Sequence, residues 1–394
     1  MSIAIPAGLP WDDGCWAAAI LRAAGFQAWF VGGCVRDLLL NRVVHDVDVT
    51  TDAHPDQVAV LFPRVLEVGK VFGVMIAITA AGRHVEIATF RSDAAYVDGR
   101  RPSGVVFTTA EDDVNRRDFT INALLLDPLS GELRDHVGGL DDLRARRLRL
   151  VGVARDRLWE DRLRVLRGLR FAAHLGFTCT GDTWSALCST SLEGLSRERI
   201  WQEWDKALSA AGRSRWLGLV QETGHLHEVC PLLGPVTAAI AQLEQITPDD
   251  DALLPGALVL AAAPAAALWP WLLANPLPRE RIQRLRWLRE GADALVAGAA
   301  VPARRRLFQH ADAALLVRYL AIRGEVPQAA AWLATERQAG PFTPLLRAGD
   351  LLAAGIRPGP EVGRLLRLVE DAQLSGEVAD RSAALSLALT AQAR

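Results

Sequence analysis

In residues 13–25 the apolar side chains recur at helical spacing, with Ala17, Ile20, Leu21 and Ala24 on one stripe, and the pattern predicts a short helix. The period then changes. Gln27 to Val31 reads as a strand ending at Gly32-Gly33, Arg36 to Leu40 as a helical turn, and Asp46 to Val49 alternates polar and apolar within HDVDV. Val71 to Thr79, His84 to Phe90, Val105 to Phe107 and Ile121 to Asp127 are further strand candidates, so the first third of the chain reads as a mixed α/β unit. From Gly138 onward strand signals fade. The run LWEDRLRVLRGLRFAAHLGF, beginning at Leu158, keeps Leu158, Leu163, Leu166, Leu169 and Phe171 near one side and predicts a helix. Its remaining faces carry Arg162, Arg164, Arg167 and Arg170. Beyond Ser196 the chain is rich in Ala, Leu and Arg and divided by Pro and Gly, which suggests an extended all-α body without a repeat of fixed period.

With 394 residues the chain is too long for a single small core. The expected fold class is α+β, with a mixed-sheet head over 1–137, a helical neck over 138–210 and an all-α body and tail over 211–394. A formal net charge of -2 means that charge alone does not announce a nucleic-acid partner. Lys70 and Lys206 are the only lysines, so arginine supplies nearly all the positive charge. Between Leu140 and Arg170, ten arginines face five acidic residues, a local surplus that could follow an RNA backbone. The five cysteines form no CxxC and no metal-ligand spacing, as expected of idle thiols in a reducing compartment. The N-terminus lacks the basic and apolar regions of a secretory signal. The most apolar segment, from Ala252, is broken by Pro255, Pro264 and Pro270, so it reads as core helices. The expectation is a cytoplasmic protein without membrane contact.

Candidate chemistry gathers in FVGGCVRDLLLNRVVHDVDVTTD, Phe30 to Asp52. Side chains two apart on a strand share a face, so Asp46 and Asp48 project together. Paired carboxylates repel unless a cation lies between them, and hard oxygen donors favour Mg²⁺. Gly32 and Gly33 follow a strand and precede a helical turn, where backbone N–H groups can approach a phosphate without an intervening Cβ. Arg36 can add a planar fork of donors. One part of the segment would hold a triphosphate and the other its metals.

This order of residues, GGxVRD followed by HDVDVTTDAHP, resembles the first motif of the class II tRNA nucleotidyltransferases, which bacterial poly(A) polymerases share. VEIATFR (Val85 to Arg91), EDDVNRRDFTINAL (Glu111 to Leu124), DHVGGLDDL (Asp135 to Leu143) and EDRLRVLRGLRFA (Glu160 to Ala172) match further motifs in the expected order. LSRERIWQEWDKAL, from Leu195, resembles the segment that closes the neck in these enzymes. The resemblance implies a nucleotidyltransferase-type head, with Asp46 and Asp48 as catalytic metal ligands and Glu86 as a third acidic residue near them. It assigns nucleotide binding to Gly32, Gly33, Arg36 and Asp37, and to Arg116, Arg117, Asp118 and Asn122. Asp118 would meet a ribose hydroxyl and the arginines the phosphates. Glu160, Asp161 and Arg164 match the EDxxR element, and Arg167, three residues further on, is assigned to nucleotide binding with them. On a helix, positions 161 and 164 would be neighbours, and their carboxylate and guanidinium would meet a base edge as a complementary strand does.

Arg91 to Arg116, polar and containing Gly99, Pro102 and Gly104, resembles the flexible loop of members that add the terminal A. Gly138 and Gly139 lie where a turn or hinge would join head to neck. The implied function is template-independent addition of CCA, or of its terminal A, to tRNA from CTP and ATP with release of pyrophosphate. An A-only enzyme and a poly(A) polymerase are the alternatives within the class, and a non-catalytic RNA-binding module the alternative outside it.

Overall fold

The computed structural model describes residues 2–93 and 105–393, which form two compact units divided between Pro235 and Val236. The segment expected to be a flexible loop lies partly outside the described residues. In the first unit, α1 (Trp11–Ala23) buries Ala17, Ala18 and Leu21 and sets Trp11 against Phe30 at 5.6 Å between ring centroids. The strands that follow are β1 (Ala28–Val31), β2 (Asp48–Thr51), β3 (Val65–Gly69), β4 (Val74–Ile78) and β5 (His84–Thr89). A ribbon of β6 (Arg91–Asp93) and β7 (Val105–Phe107) comes next, then β8 (Leu125–Leu126) and β9 (Leu133–Arg134).

Seven of these strands make one mixed sheet in the order β3-β4-β5-β2-β1-β8-β9. All neighbours are antiparallel except β2 and β5, which run parallel with Val49 opposite Ile87. Every residue of β1 is buried, as a central strand requires, whereas β5 alternates, burying Val85 and Ile87 and leaving His84 and Glu86 outward. Four short helices decorate the head: α2 (Gly33–Leu39), α3 (Pro55–Leu61), α4 (Ala110–Asn115) and α5 (Gly139–Arg144). The α+β class expected from the pattern is the one observed.

The neck comprises α6 (Ala154–Glu160), α7 (Leu163–Leu175), α8 (Gly181–Ser189), α9 (Arg197–Ser209) and α10 (Arg213–Glu222). Helix α7 packs against both α9 and α10, and Trp204 stands edge-on to Trp201 at 5.4 Å and to Trp216 at 5.6 Å. This shared core belongs to the first unit, which runs on to Pro235. The second unit contains helices joined by turns and no strand among its described residues. Its proline-broken apolar segment forms Leu254–Leu260 and Ala265–Leu273, and no described helix is long and apolar enough to cross a membrane.

Several local expectations shift. Lys70–Phe72 is a 3-10 turn, so the strand expected from Val71 starts at Val74, while β3 carries no clear alternation and was not foreseen. Ile121 to Asp127 holds a 3-10 turn, Thr120–Asn122, and only the two residues of β8. The long helix expected from Leu158 is two helices, because Asp161 is extended at φ -148° and its carboxylate accepts the Leu163 N–H that opens α7.

The Gly138-Gly139 turn is tightly held. Asp135 accepts from the backbone N–H groups of Val137, Gly138, Gly139 and Leu140, and Gly138 is left-handed at φ +77°. A Cβ on Gly139 would lie 2.1 Å from the carbonyl oxygen of Thr120, a backbone atom that cannot yield cheaply. Gly139→Ala should therefore destabilise the first unit by about 3 kcal/mol or more, read as a lower urea midpoint. A wild-type midpoint would show that the turn has room to move.

Candidate active site

The site assembles on the open face of the central strands. Val49 of β2 and Val47 just before it turn into the core, so Asp46 and Asp48 share the outward side, although Asp46 also precedes the strand proper. The parallel register pairs Val49 with Ile87, which brings Glu86 alongside Asp48 on that face. Gly32 completes the corner. It caps α2 at φ +81°, a conformation that disfavours any side chain, and a Cβ there would lie 3.5 Å from Asp48 Oδ2 and 3.9 Å from Arg117 Nη1.

Electrostatics mark these carboxylates as mutually frustrated. Asp48 is pushed up to about 7 by burial, then by the charges of Glu86 and Asp46, with Arg117 pulling the other way. Glu86 is raised by desolvation and by Asp46, again opposed by Arg117. A group of like charges held this close is relieved by a cation. No cluster of three or more His, Cys, Asp or Glu side chains is gathered to hold a metal ion among the described residues. Asp46 and Asp48 nevertheless offer the one or two carboxylates that Mg²⁺ takes from a protein when phosphates and water supply its other ligands.

Arg36 is not a free fork. Its Nε and Nη2 donate to Asp37 at 3.0 and 2.7 Å, its Nη1 donates to Asn122 at 2.7 Å, and its guanidinium stacks 5.1 Å from the Phe171 ring centroid. Asp37 also faces Arg42 at 3.7 Å. Asp118 is likewise engaged: Oδ1 accepts from Phe119 N–H and Asn122 Nδ2, and Oδ2 from Arg167 Nε and Nη2 at 3.0 and 2.7 Å. Burial works to raise Asp118, but Arg167's charge and these hydrogen bonds prevail and hold it at about 2. Arg36, Asn122, Asp118 and Arg167 thus form one polar chain, buried except at the half-exposed Arg167.

The EDxxR residues stand differently from the single-helix expectation. Asp161 lies in the break between α6 and α7 and accepts from Arg199 of α9 at 2.8 Å. Arg164 is buried and donates to Glu160 at 2.7 Å, to the Arg157 carbonyl at 2.8 Å and to the Arg116 carbonyl at 3.0 Å. Glu160 also receives Arg157 at 2.7 Å. Arg116 and Arg117 are both clamped by Asp113, a fully buried carboxylate.

Asp113, Arg199 and the buried Glu203, which receives Arg170 at 2.7 Å, were missed in the sequence. A spacing signal existed only for Asp113, three and four before Arg116 and Arg117, whereas Arg199 and Glu203 meet Asp161 and Arg170, far along the chain. Much of the arginine surplus of residues 140–170 is absorbed in this way: Arg147, Arg149, Arg157, Arg164, Arg167 and Arg170 all face carboxylates of the same unit.

Strand order, helical appendages and the acidic corner together place the fold in the nucleotidyltransferase class. The Poly A polymerase head domain family matches residues 28–149. A CCA-adding enzyme of Lactobacillus delbrueckii subsp. bulgaricus is 34% identical over 380 residues, 93% of this chain and 94% of its own length. That of Streptococcus gordonii is 44% identical over 232 residues, 58% of this chain and 57% of its own. The crystal structure of the Bacillus stearothermophilus CCA-adding enzyme in complex with CTP matches with a TM-score of 0.79 at 28% identity, over 98% of this chain and 99% of that one. This chain belongs to the CCA-adding enzyme family.

Asp118 supplies a pH-dependent contribution to stability. Its folded pKa lies below the unfolded value of about 4, so the contribution is complete above that value and is lost as pH falls through about 2. The stability gap between the wild type and Asp118→Asn should narrow by about 1 kcal/mol between pH 7 and pH 3 in urea unfolding. A gap independent of pH would mean that the carboxylate is not held ionised by Arg167.

Proposed function

We propose that this chain completes the 3′-terminal CCA of tRNA from CTP and ATP, without a nucleic-acid template, as a Mg²⁺-dependent nucleotidyltransferase of the cytoplasm. The observation that carries the reading is the corner where Asp48, Glu86 and Asp46 repel one another beside Gly32 and Arg117. It is built for a divalent cation and a triphosphate together. Full-length similarity to CCA-adding enzymes favours this reading over poly(A) synthesis and over addition of A alone.

In the reaction the tRNA 3′-oxygen forms a bond to the α-phosphorus, the bridging α–β phosphorus–oxygen bond breaks, and pyrophosphate leaves. Bound at Asp46 and Asp48, Mg²⁺ would supply Lewis-acid stabilisation of charge on the attacking and leaving oxygens. The chain contributes position and charge. Gly32 and Gly33 let the triphosphate approach the start of α2, and Arg117 faces its phosphates. Asp118, fixed by Asn122 and Arg167, sits beside the ribose, its acceptor positions already engaged, so a ribose hydroxyl must share or displace one of those donors.

Base choice is the task of Asp161 and Arg164. Arg199 and the Leu163 N–H orient the first, while Glu160 and the Arg116 and Arg157 carbonyls orient the second. An acceptor and a donor held in this way suit the amino-bearing bases C and A. The α-helical second unit is the part assigned to the body of the tRNA.

The test is incorporation of CTP and ATP, with Mg²⁺, into tRNA transcripts ending before CCA, after C and after CC. Both nucleotides should be added to the shortest transcript, and extension only of the CC-ended one would convert the reading to an A-adding enzyme. The double variant Asp46→Ala, Asp48→Ala should retain its circular dichroism and lose all incorporation. Residual activity in that variant would remove the metal assignment.

A further inference from the structure

Arg117 lies between two sets of anions and is bonded to only one of them. On one side Asp113 accepts its Nη2 at 2.9 Å. On the other stand Asp48 and Glu86, both of which feel the Arg117 charge, yet no hydrogen bond or ion pair joins Arg117 to either, or to Asp46, among the described residues. Its Nη1 points toward the glycine corner, and its Nε is buried without a hydrogen-bond partner among the described residues.

We propose that Asp113 is a positioning residue that holds Arg117 within reach of the triphosphate and keeps it off the carboxylates that take the metal. The inference rests on the proposed function and deepens it. Asp113 belongs to α4, whose start is capped by the Thr109 hydroxyl, and its side chain is wholly enclosed. Oδ1 accepts from Arg116 Nε and Nη2 at 3.0 and 2.7 Å and from the Arg91 backbone N–H at 3.3 Å, which leaves Oδ2 to Arg117. One anion therefore serves two guanidinium groups, and the pair of arginines keeps a net positive charge that faces the cleft.

A half-buried guanidinium such as that of Arg117 seeks the nearest anion. Were Asp113 neutral, the nearest anions to Arg117 would be Asp48 and Glu86. An arginine settled there neutralises the charge that a divalent cation needs, and its own charge is lost to the phosphates. The clamp also reaches the base-selecting side, because the carbonyl of the clamped Arg116 accepts from Arg164 at 3.0 Å. Asp113 thus ties the phosphate-facing, metal-facing and base-facing parts of the site to one buried charge.

The experiment uses the full chain with Asp113→Asn, which keeps the shape and removes the charge. Losing one charge-assisted hydrogen bond corresponds to about a tenfold rise in KM for CTP and ATP, with KM for tRNA nearly unchanged. Independently of turnover, Mn²⁺ binding to the protein without nucleotide, read from the free-ion electron paramagnetic resonance signal, should weaken severalfold. Adding Arg117→Gln to Asp113→Asn should restore Mn²⁺ binding while CTP binding remains weak, a recovery that a merely structural role would not produce.

Wild-type KM and Mn²⁺ affinity in Asp113→Asn, or a double variant that binds Mn²⁺ no better than the single one, would overturn the proposal. Should Asp113→Asn not fold, Asp113→Glu keeps the charge and displaces it by one methylene. It is expected to raise nucleotide KM and leave Mn²⁺ binding intact, and an unchanged KM there overturns the proposal as well. A wild-type protein that binds neither CTP nor Mn²⁺ would instead remove the proposed function, an outcome distinguishable from any of these.

Discussion

The Asp118 carboxylate is buried and charged, a state that is costly in a low-dielectric interior unless both oxygens are fully hydrogen-bonded. Here they are, by donors from two parts of the chain: Phe119 and Asn122 in the head and Arg167 on the neck helix α7. Because the pairing requires all of them at once, it fixes the neck helix in register with the sheet. The constraint spreads outward. Asn122 receives Arg36 from the glycine-turn helix, and Arg36, Arg167 and Arg170 all stack on Phe171, at 5.1, 5.4 and 4.5 Å. Glycine turn, acidic corner and base-selecting break are thereby held as parts of one assembly.

A second consequence concerns where the arginines go. A chain with arginine as nearly its only cation presents, on paper, a basic stripe along the neck. In the fold, Arg164 is buried, and Arg167 and Arg170 converge on Asp118 and Glu203. The planar, multidentate guanidinium suits such interior networks better than a lysine ammonium, since it can satisfy two acceptors in fixed geometry while its face rests on an aromatic ring. The local charge surplus is thus partly a structural material, and less of it faces solvent than the sequence suggests.

The candidate site was unevenly legible. Asp46 and Asp48 could be paired from sequence because a strand's two-residue period is a local property, and the glycine turn was marked by its place between a strand and a helix. The role of Glu86 came only from resemblance, since its nearness to Asp48 depends on the parallel pairing of β2 with β5, strands separated by a hairpin. Asp113 was hidden in the run EDD: its spacing to Arg116 and Arg117 permits a pairing but does not show that this residue turns inward while its neighbours stay exposed. Asp161 was misplaced on a helix because the apolar period runs unbroken through it. The extended backbone there is held by a local cap on Leu163 and by Arg199, which arrives from another helix.

What the sequence determined by itself was the succession of elements, the α+β class and the motifs that carry the chemistry, because hydrophobic period, turn residues and short spacings act over a few residues. The tertiary structure decided which charges meet. It set Glu86 beside Asp48, closed Arg167 on Asp118 and placed Asp113 behind Arg117. It also drew α10 onto the neck core, so that the first unit continues to Pro235. Those outcomes rest on strand register and helix packing between distant segments, where the cost of burying an unpaired charge selects one arrangement among many that are locally equivalent.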